Sequence, residues 1–287
     1  MSQRRYQARR SGDRVMADGL AGAADEAAAP LLASDEPPVV DLQDSAGGPF
    51  VFLCEHASNR LPKALGDLGL PAEALTRHIA WDPGAAAMTL GLAARLGGPA
   101  ILQSYSRLVI DCNREPGLPD AITTLSEDTA IPGNQDLGPD ARQQRVDAIW
   151  APFHAAIDEL VEARIAAGKP SVIVTLHSFT SVYRGVSRPW HVGIISSGER
   201  SFAEAMLSAL RRDPALVVGD DEPYSARDNV DYTIRRHGFD RGLPHVMIEV
   251  RNDLVESATD VAAWVERLGD ALLESAAALG LSPAQED

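Results

Sequence analysis

The sequence predicts a three-layer α/β/α domain whose sheet, mostly parallel or mixed, is covered by helices on both faces. Short apolar and β-branched runs alternate with helical patterns of about 10 residues or more, the order expected of an α/β fold. Most of those runs are apolar at every position, as in strands buried on both faces. No internal repeat competes with this reading.

The elements follow in order. "PFVFLCE" reads as a buried strand. "PGAAAMTLGLAARLGG" reads as a helix, with Asp82 as N-cap, Pro83 at the first helical position and a glycine stop. "PAILQSY" and "RLVIDCN" are two further strands, and the turn-rich residues 114–141 form a loop long enough to imply function. "RQQRVDAIWAPFHAAIDELVEARIAAGK" predicts a long amphipathic helix with a kink at Pro152. "PSVIVTLHSF" is a central strand; "HVGIISS", "ALVVGDD" and "HVMIEV" supply more strands. "SFAEAMLSALRR" and "DVAAWVERLGDALLESAAALG" supply more helices. Residues 1–38, basic and then rich in Ala, Asp, Glu and Pro, are expected to be a flexible tail, and 39–287 a single catalytic domain.

Composition narrows the function. A formal charge of −15 over 287 residues argues against a nucleic-acid binder, which needs a basic surface. No apolar stretch is long enough to span a membrane, and the basic start lacks the apolar core of a signal peptide. The two cysteines lie in apolar runs and are expected to be buried in a protein of the reducing cytoplasm. No G-x-S-x-G, P-loop, G-x-G-x-x-G or H-E-x-x-H motif occurs.

Chemistry collects where strands end. "VFLC" runs into Glu55 and His56, "VIVTL" into His177 and Ser178, and "HVMI" into Glu249 and Arg251. In a parallel sheet these groups share one rim, the place where α/β folds bind ligands. Two imidazoles and a carboxylate suit a catalytic zinc, with a second carboxylate as general base. A salt bridge between Glu249 and Arg251, two apart on one strand face, is the competing account of Glu249. Cys54 beside His56 as a nucleophile pair is disfavoured, since such a cysteine is commonly just buried. His237 and His245 are expected to face solvent or cap. Arg107, Asn113, Arg114, Arg184 and Arg188 gather near strand exits and suggest recognition of a small anion, a dicarboxylate fitting best.

The stretches "EHASNRLP", "WDPGA", "SRLVIDCNREP", "TLHSFTSVYRGVSRPWHVG", "GDDEPYSARDNVDYTIRRHG" and "GLPHVMIEVRNDL", in this order, resemble the N-formylglutamate amidohydrolase (deformylase) family over about residues 48–275. The resemblance implies a phosphorylase/hydrolase-like core shared with zinc carboxypeptidases, aspartoacylases and cell-wall amidases. It implies a divalent metal, zinc first, held by His56 and His177, with Glu249 as base and Asn113-Arg114 gripping a substrate carboxylate. Carboxypeptidase-like relatives have a glutamate ligand where Asn59 stands. The implied third ligand is therefore Asp82, as in the amidases, with Glu55 as second choice. The implied reaction is hydrolysis of N-formyl-L-glutamate to formate and L-glutamate in histidine degradation, Arg184 and Arg188 contacting the scissile or carboxylate oxygens. A metal-dependent peptidase or cell-wall amidase, and a non-catalytic binding protein on the same fold, are the alternatives.

Overall fold

The computed structural model describes residues 29–45, 47–225 and 231–281. In chain order its strands and α-helices are β1 (Val40–Gln43), β2 (Phe50–Cys54), α1 (Ala72–Thr76), α2 (Ala85–Leu96), β3 (Ala100–Gln103), β4 (Leu125–Ser126), β5 (Thr129–Ala130), α3 (Pro139–Arg145), α4 (Ala151–Ala166), β6 (Val172–Phe179), β7 (Val182–Tyr183), β8 (Val186–Ser187), β9 (Val192–Ile195), α5 (Ser201–Leu210), β10 (Val218–Asp220), α6 (Tyr232–His237), β11 (His245–Arg251) and α7 (Ala258–Ala278).

A seven-stranded sheet runs β1-β3-β2-β6-β11-β9-β10. Strands β3, β2, β6 and β11 are parallel; β1 and β9 pair antiparallel with β3 and β11, and β10 follows β9 in parallel. The sheet is thus mixed, with the expected central strand, β6, in the middle. Side-chain alternation sorts its two cores. Phe50, Phe52, Val172, Val174, Val246 and Ile248 pack with residues of α2, α5 and α7. Val51, Leu53 and Ile173 face the α4 side with Phe153 and Ile157. On this second face β6 reads Ile173, Thr175, His177 and β11 reads His245, Met247, Glu249. Apolar packing therefore gives way to ionisable groups toward the carboxyl ends.

Several local expectations need correction. Helix α2 starts at Ala85 with Gly84, in the left-handed conformation at φ 83°, as its N-cap residue. A Cβ at Gly84 would sit 2.5 Å from a Val255 methyl, so the chain there admits only glycine. Asp82 lies before the helix and does not cap it; the glycine stop is present as Gly97. "RLVIDCN" is buried as expected of a strand, but it folds as successive turns with no sheet partner. The kink expected at Pro152 is a π-helical segment, Val146–Trp150, just before it, where proline cannot supply an i→i−4 bond. Residues 1–28 of the expected tail lie outside the described residues. Residues 29–38 dock on the domain instead of extending from it: Leu31 is buried and the Tyr105 hydroxyl donates to the Pro37 carbonyl at 2.8 Å. Both cysteines are buried and free.

The long loop before α3 is tied from within. Buried Arg145 donates to the Val109 carbonyl at 2.9 Å and to Asn134 Oδ1 at 2.7 Å. His237 and His245, expected at the surface, are both buried. His237 lies behind His154 of α4, with Nε2 to Nδ1 at 2.9 Å, and His154 Nε2 meets the Cys112 carbonyl at 2.9 Å. Burial pushes the His154 pKa down to about 4. The unfolded chain takes this proton near pH 6.5 and the folded chain does not, so stability is lost as pH falls from 6.5 towards 4. His154 alone is expected to cost about 2 kcal/mol between pH 7 and pH 5, and His237, pushed down to about 3 by burial and by His154, adds a loss of the same sign. Urea unfolding at the two pH values checks this: His154→Gln should lessen the dependence, and an unchanged dependence would reject the assignment.

Candidate metal and active site

The parallel register of β2, β6 and β11 brings the three strand exits together. Glu249 lies opposite His177 across β11 and β6. His56 follows β2 in a turn, and its carbonyl accepts the Asp82 backbone N–H at 2.9 Å, locking the entry to α2 against the strand exit. That link turns the Asp82 side chain inward. His56 Nδ1 and His177 Nδ1 lie 3.2 Å apart, and Asp82 Oδ2 is 3.2 Å from the first and 2.9 Å from the second. All three residues are buried.

The far side of each ring also meets a carboxylate. His56 Nε2 is 2.7 Å from Asp111 Oδ1, and His177 Nε2 is 3.2 Å from Glu55 Oε2 in a contact off the line of a hydrogen bond. The Asp111 carboxylate takes an N–H from His56, and the Glu55 charge favours the His177 proton on the same far side, so each ring's proton belongs on Nε2 and each Nδ1 is left with a lone pair. Two nitrogen lone pairs and a carboxylate oxygen then point at one spot, where they repel unless a proton or a cation sits between them. Tetrahedral zinc, with ligands at about 2.0–2.1 Å, sets ligand atoms about 3.3 Å apart. The donor types and spacings fit such an ion.

The ionisation states agree. Burial opposes charge on Asp82, but His56, His177 and His78 together hold its carboxyl well below the usual range. Burial also opposes charge on His177, yet the Glu55 and Asp82 carboxylates outweigh it and hold the imidazolium on well above the usual range. A cation would take the place of that proton. Burial pushes Glu249 the other way, up to about 7, helped by the Asp82 charge and resisted by His177. Glu249 Oε2 has no hydrogen-bond partner among the described residues, and Arg251 turns away to Asp253 at 2.8 Å. The salt bridge between Glu249 and Arg251 does not form.

The groups open onto a cavity of about 190 Å³. That is below the roughly 300–1,000 Å³ of pockets for drug-sized ligands. Arg114 lines it and donates to Asp120 at 3.1 Å; Asn113 lines it too, its Oδ1 engaged by the Thr233 N–H. Arg107 braces the two aspartates, donating to Asp111 Oδ2 at 2.7 Å and reaching Asp82 Oδ1 at 3.5 Å. Arg188 is buried behind the wall, whereas Arg184 is exposed on the turn between β7 and β8 at φ 49° and is not brought to the cavity. Asn59 donates to the Leu75 carbonyl at 2.9 Å, a purely local role. Glu55 stands behind His177 and not beside the lone pairs.

Several site residues escape sequence reasoning. Asp111 reads as one polar residue in an apolar run, and its only signal is its place in "SRLVIDCNREP". His78, in an unremarkable loop, sets Nε2 3.2 Å from Asp82 Oδ1 and 2.5 Å from the Ser178 carbonyl. Tyr183 and Tyr224 line the cavity, and their only signal is their place in "TLHSFTSVYRGVSRPWHVG" and "GDDEPYSARDNVDYTIRRHG".

A family model described as N-formylglutamate amidohydrolase matches residues 48–256. The chain belongs to that family. Membership indicates an amidohydrolase acting on an N-acyl amino acid. The chain is similar to the gene product Atu2144 from Agrobacterium tumefaciens, at 38% identity over 87% of this chain and 99% of that one, with a TM-score of 0.85. It also resembles N-formylglutamate amidohydrolase from Ralstonia eutropha JMP134, at 20% identity over 85% and 99% of the two chains and a TM-score of 0.61, a likeness of fold. A search of curated proteins finds no match. Among the described residues no helix is long and apolar enough to cross a membrane.

The geometry makes Asp111 the partner that fixes the His56 tautomer. In chelator-treated protein titrated with zinc, Asp111→Asn is expected to weaken binding about 10- to 100-fold. Unchanged affinity would detach Asp111 from the site.

Proposed function

We propose that the chain is a metal-dependent deformylase that hydrolyses N-formyl-L-glutamate to formate and L-glutamate, a cytoplasmic step of histidine degradation. One observation carries the reading: three converging acceptor atoms on His56, His177 and Asp82 stand beside the buried Glu249 carboxylate, whose Oε2 has no hydrogen-bond partner among the described residues. These three residues would hold a divalent ion, zinc by the nitrogen and oxygen donor set. When bound, the ion acidifies water and polarises the amide oxygen.

The chain's own groups supply the rest. Asp111 holds the His56 imidazole in the tautomer that presents Nδ1, and the Glu55 charge on the far side of His177 favours the same tautomer there. Glu249, raised to about 7 by burial, accepts a proton from the attacking water near neutral pH and returns it to the departing nitrogen. Arg114 supports recognition of a substrate carboxylate. Its partner Asp120 is more than half exposed, and such pairs are worth about 0–1 kcal/mol, so an incoming carboxylate can displace it. Asn113 and Arg107 shape the same wall. A cavity this small favours a single amino acid over a polymer, which disfavours the peptidase and cell-wall amidase alternative.

Formate or acyl release from N-formyl-L-glutamate, N-formyl-L-aspartate, N-acetyl-L-glutamate and short formylated peptides tests the substrate. The first is expected to be preferred, and equal rates on all four would defeat dicarboxylate recognition. Glu249→Gln should retain metal, measured by elemental analysis, while kcat falls about 10²- to 10⁴-fold. Retained turnover would remove Glu249 as the base.

A further inference from the structure

Tyr224 has no role in the scheme above, yet its surroundings are unusual. It lines the cavity. Arg188 Nη1 donates to its phenol oxygen at 3.2 Å, and Tyr224 Oη makes no other hydrogen bond among the described residues. With its oxygen already accepting from Arg188, the phenol keeps its own O–H proton free for another partner. Arg188 is itself only 8% exposed. Its guanidinium carbon lies 4.5 Å from the Tyr183 ring centre, 4.8 Å from that of Tyr224 and 5.9 Å from that of Phe179. Among the described residues no carboxylate neutralises it, whereas Arg107 and Arg114 both have acidic partners. A buried cation caged by aromatic faces and donating to the phenol oxygen holds that oxygen in place.

The backbone is built to deliver this side chain. Gly193 of β9 lies opposite Glu249 of β11. A Cβ at Gly193 would stand 1.9 Å from the Glu222 carbonyl oxygen, and one at Gly219 would stand 2.8 Å from the same atom. The two glycines thus let the segment before Tyr224 lie directly on the sheet at the level of Glu249. Burial and the Glu249 charge push the Tyr224 pKa up to about 12, which keeps it protonated as a donor.

We propose that Tyr224 is a further catalytic residue, its phenol O–H donating to the acyl oxygen of the substrate as negative charge develops there, with Arg188 as the positioning residue that holds the phenol oxygen. The proposal rests on the amidohydrolase reading. Water's oxygen bonds to the acyl carbon, the carbonyl π pair moves onto the acyl oxygen, and Glu249 takes the water proton. The C–N bond then breaks, that proton goes to nitrogen and the carbonyl re-forms. Tyr224 keeps its proton throughout and contributes only the hydrogen bond.

Tyr224→Phe removes the hydroxyl and leaves the ring packing, so the fold is not at stake. On whichever N-acyl amino acid the metal-loaded wild-type protein hydrolyses, kcat should fall about 10²-fold with KM changed by less than about threefold, as for loss of one oxyanion donor. An unchanged kcat, or a loss confined to KM, would overturn the proposal. Calorimetric titration of the zinc-loaded proteins with methylphosphonate, a tetrahedral anion lacking any amino-acid part, gives a readout independent of substrate. Tyr224→Phe should weaken it about tenfold, and equal affinity would overturn Tyr224 alone. If the wild type hydrolyses no N-acyl amino acid, the amidohydrolase reading fails, and this titration still decides whether the phenol meets an anionic oxygen. Arg188→Met should lower kcat in the wild type but cost nothing further beside Tyr224→Phe; additive losses would remove Arg188 as its positioning residue.

Discussion

Burying ionisable groups at one end of a sheet costs free energy unless opposite charges meet there, and the Asp82 carboxylate is where they meet. It contacts His56, His177 and His78, accepts the Ser178 backbone N–H at 3.3 Å and is reached by Arg107. Removing one partner from such a buried set strands the others and typically costs about 3–5 kcal/mol. The entry to α2, the exits of β2 and β6 and the turns carrying Arg107 are therefore held in one arrangement by a shared charge.

That arrangement divides the labour between the faces of the sheet. The α2, α5 and α7 face is mainly apolar, with Thr89, Ser178 and Ser275 as its buried hydroxyls, and stabilises the domain. The other face begins apolar and ends in His177, Glu249 and the turn after β2. Here the structure tolerates buried polar atoms without hydrogen-bond partners, on Glu55, His177 and Glu249. Unsatisfied groups of this kind are a recognised mark of a functional site. The same site holds one carboxylate strongly ionised and another near neutrality, a separation that suits a ligand in one case and a base in the other.

Much of this was legible in the chain. The alternation of apolar runs and helical patterns marked the layers, and the abrupt polar residues after "VFLC", "VIVTL" and "HVMI" marked the rim, because strand period and residue type are local properties. Misreadings arose where tertiary contacts overrode local preference. "RLVIDCN" has strand composition, but its backbone bonds go to turns and to Ala121, where Asp111 N–H donates to the carbonyl at 2.7 Å. Asp82 has an N-cap's identity and place, but the His56 carbonyl fixes its backbone and the histidines claim its side chain. Residues 29–38 lack a core's composition, yet Leu31 and Leu32, the Ala29 and Pro37 carbonyls and the Asp35 and Glu36 carboxylates dock them.

Sequence by itself determined the layered α/β architecture, the central place of β6 and the residues His56, His177 and Glu249 at the rim, since each follows from periodicity and the position of a polar residue after an apolar run. The family resemblance pointed to Asp82 beside the histidines; tertiary structure alone decided that Asp111 and Glu55 back them, and that Tyr224 reaches the cavity over Gly193 and Gly219. Those outcomes depend on strand register and on close backbone approach between segments far apart in the chain, which no local pattern encodes.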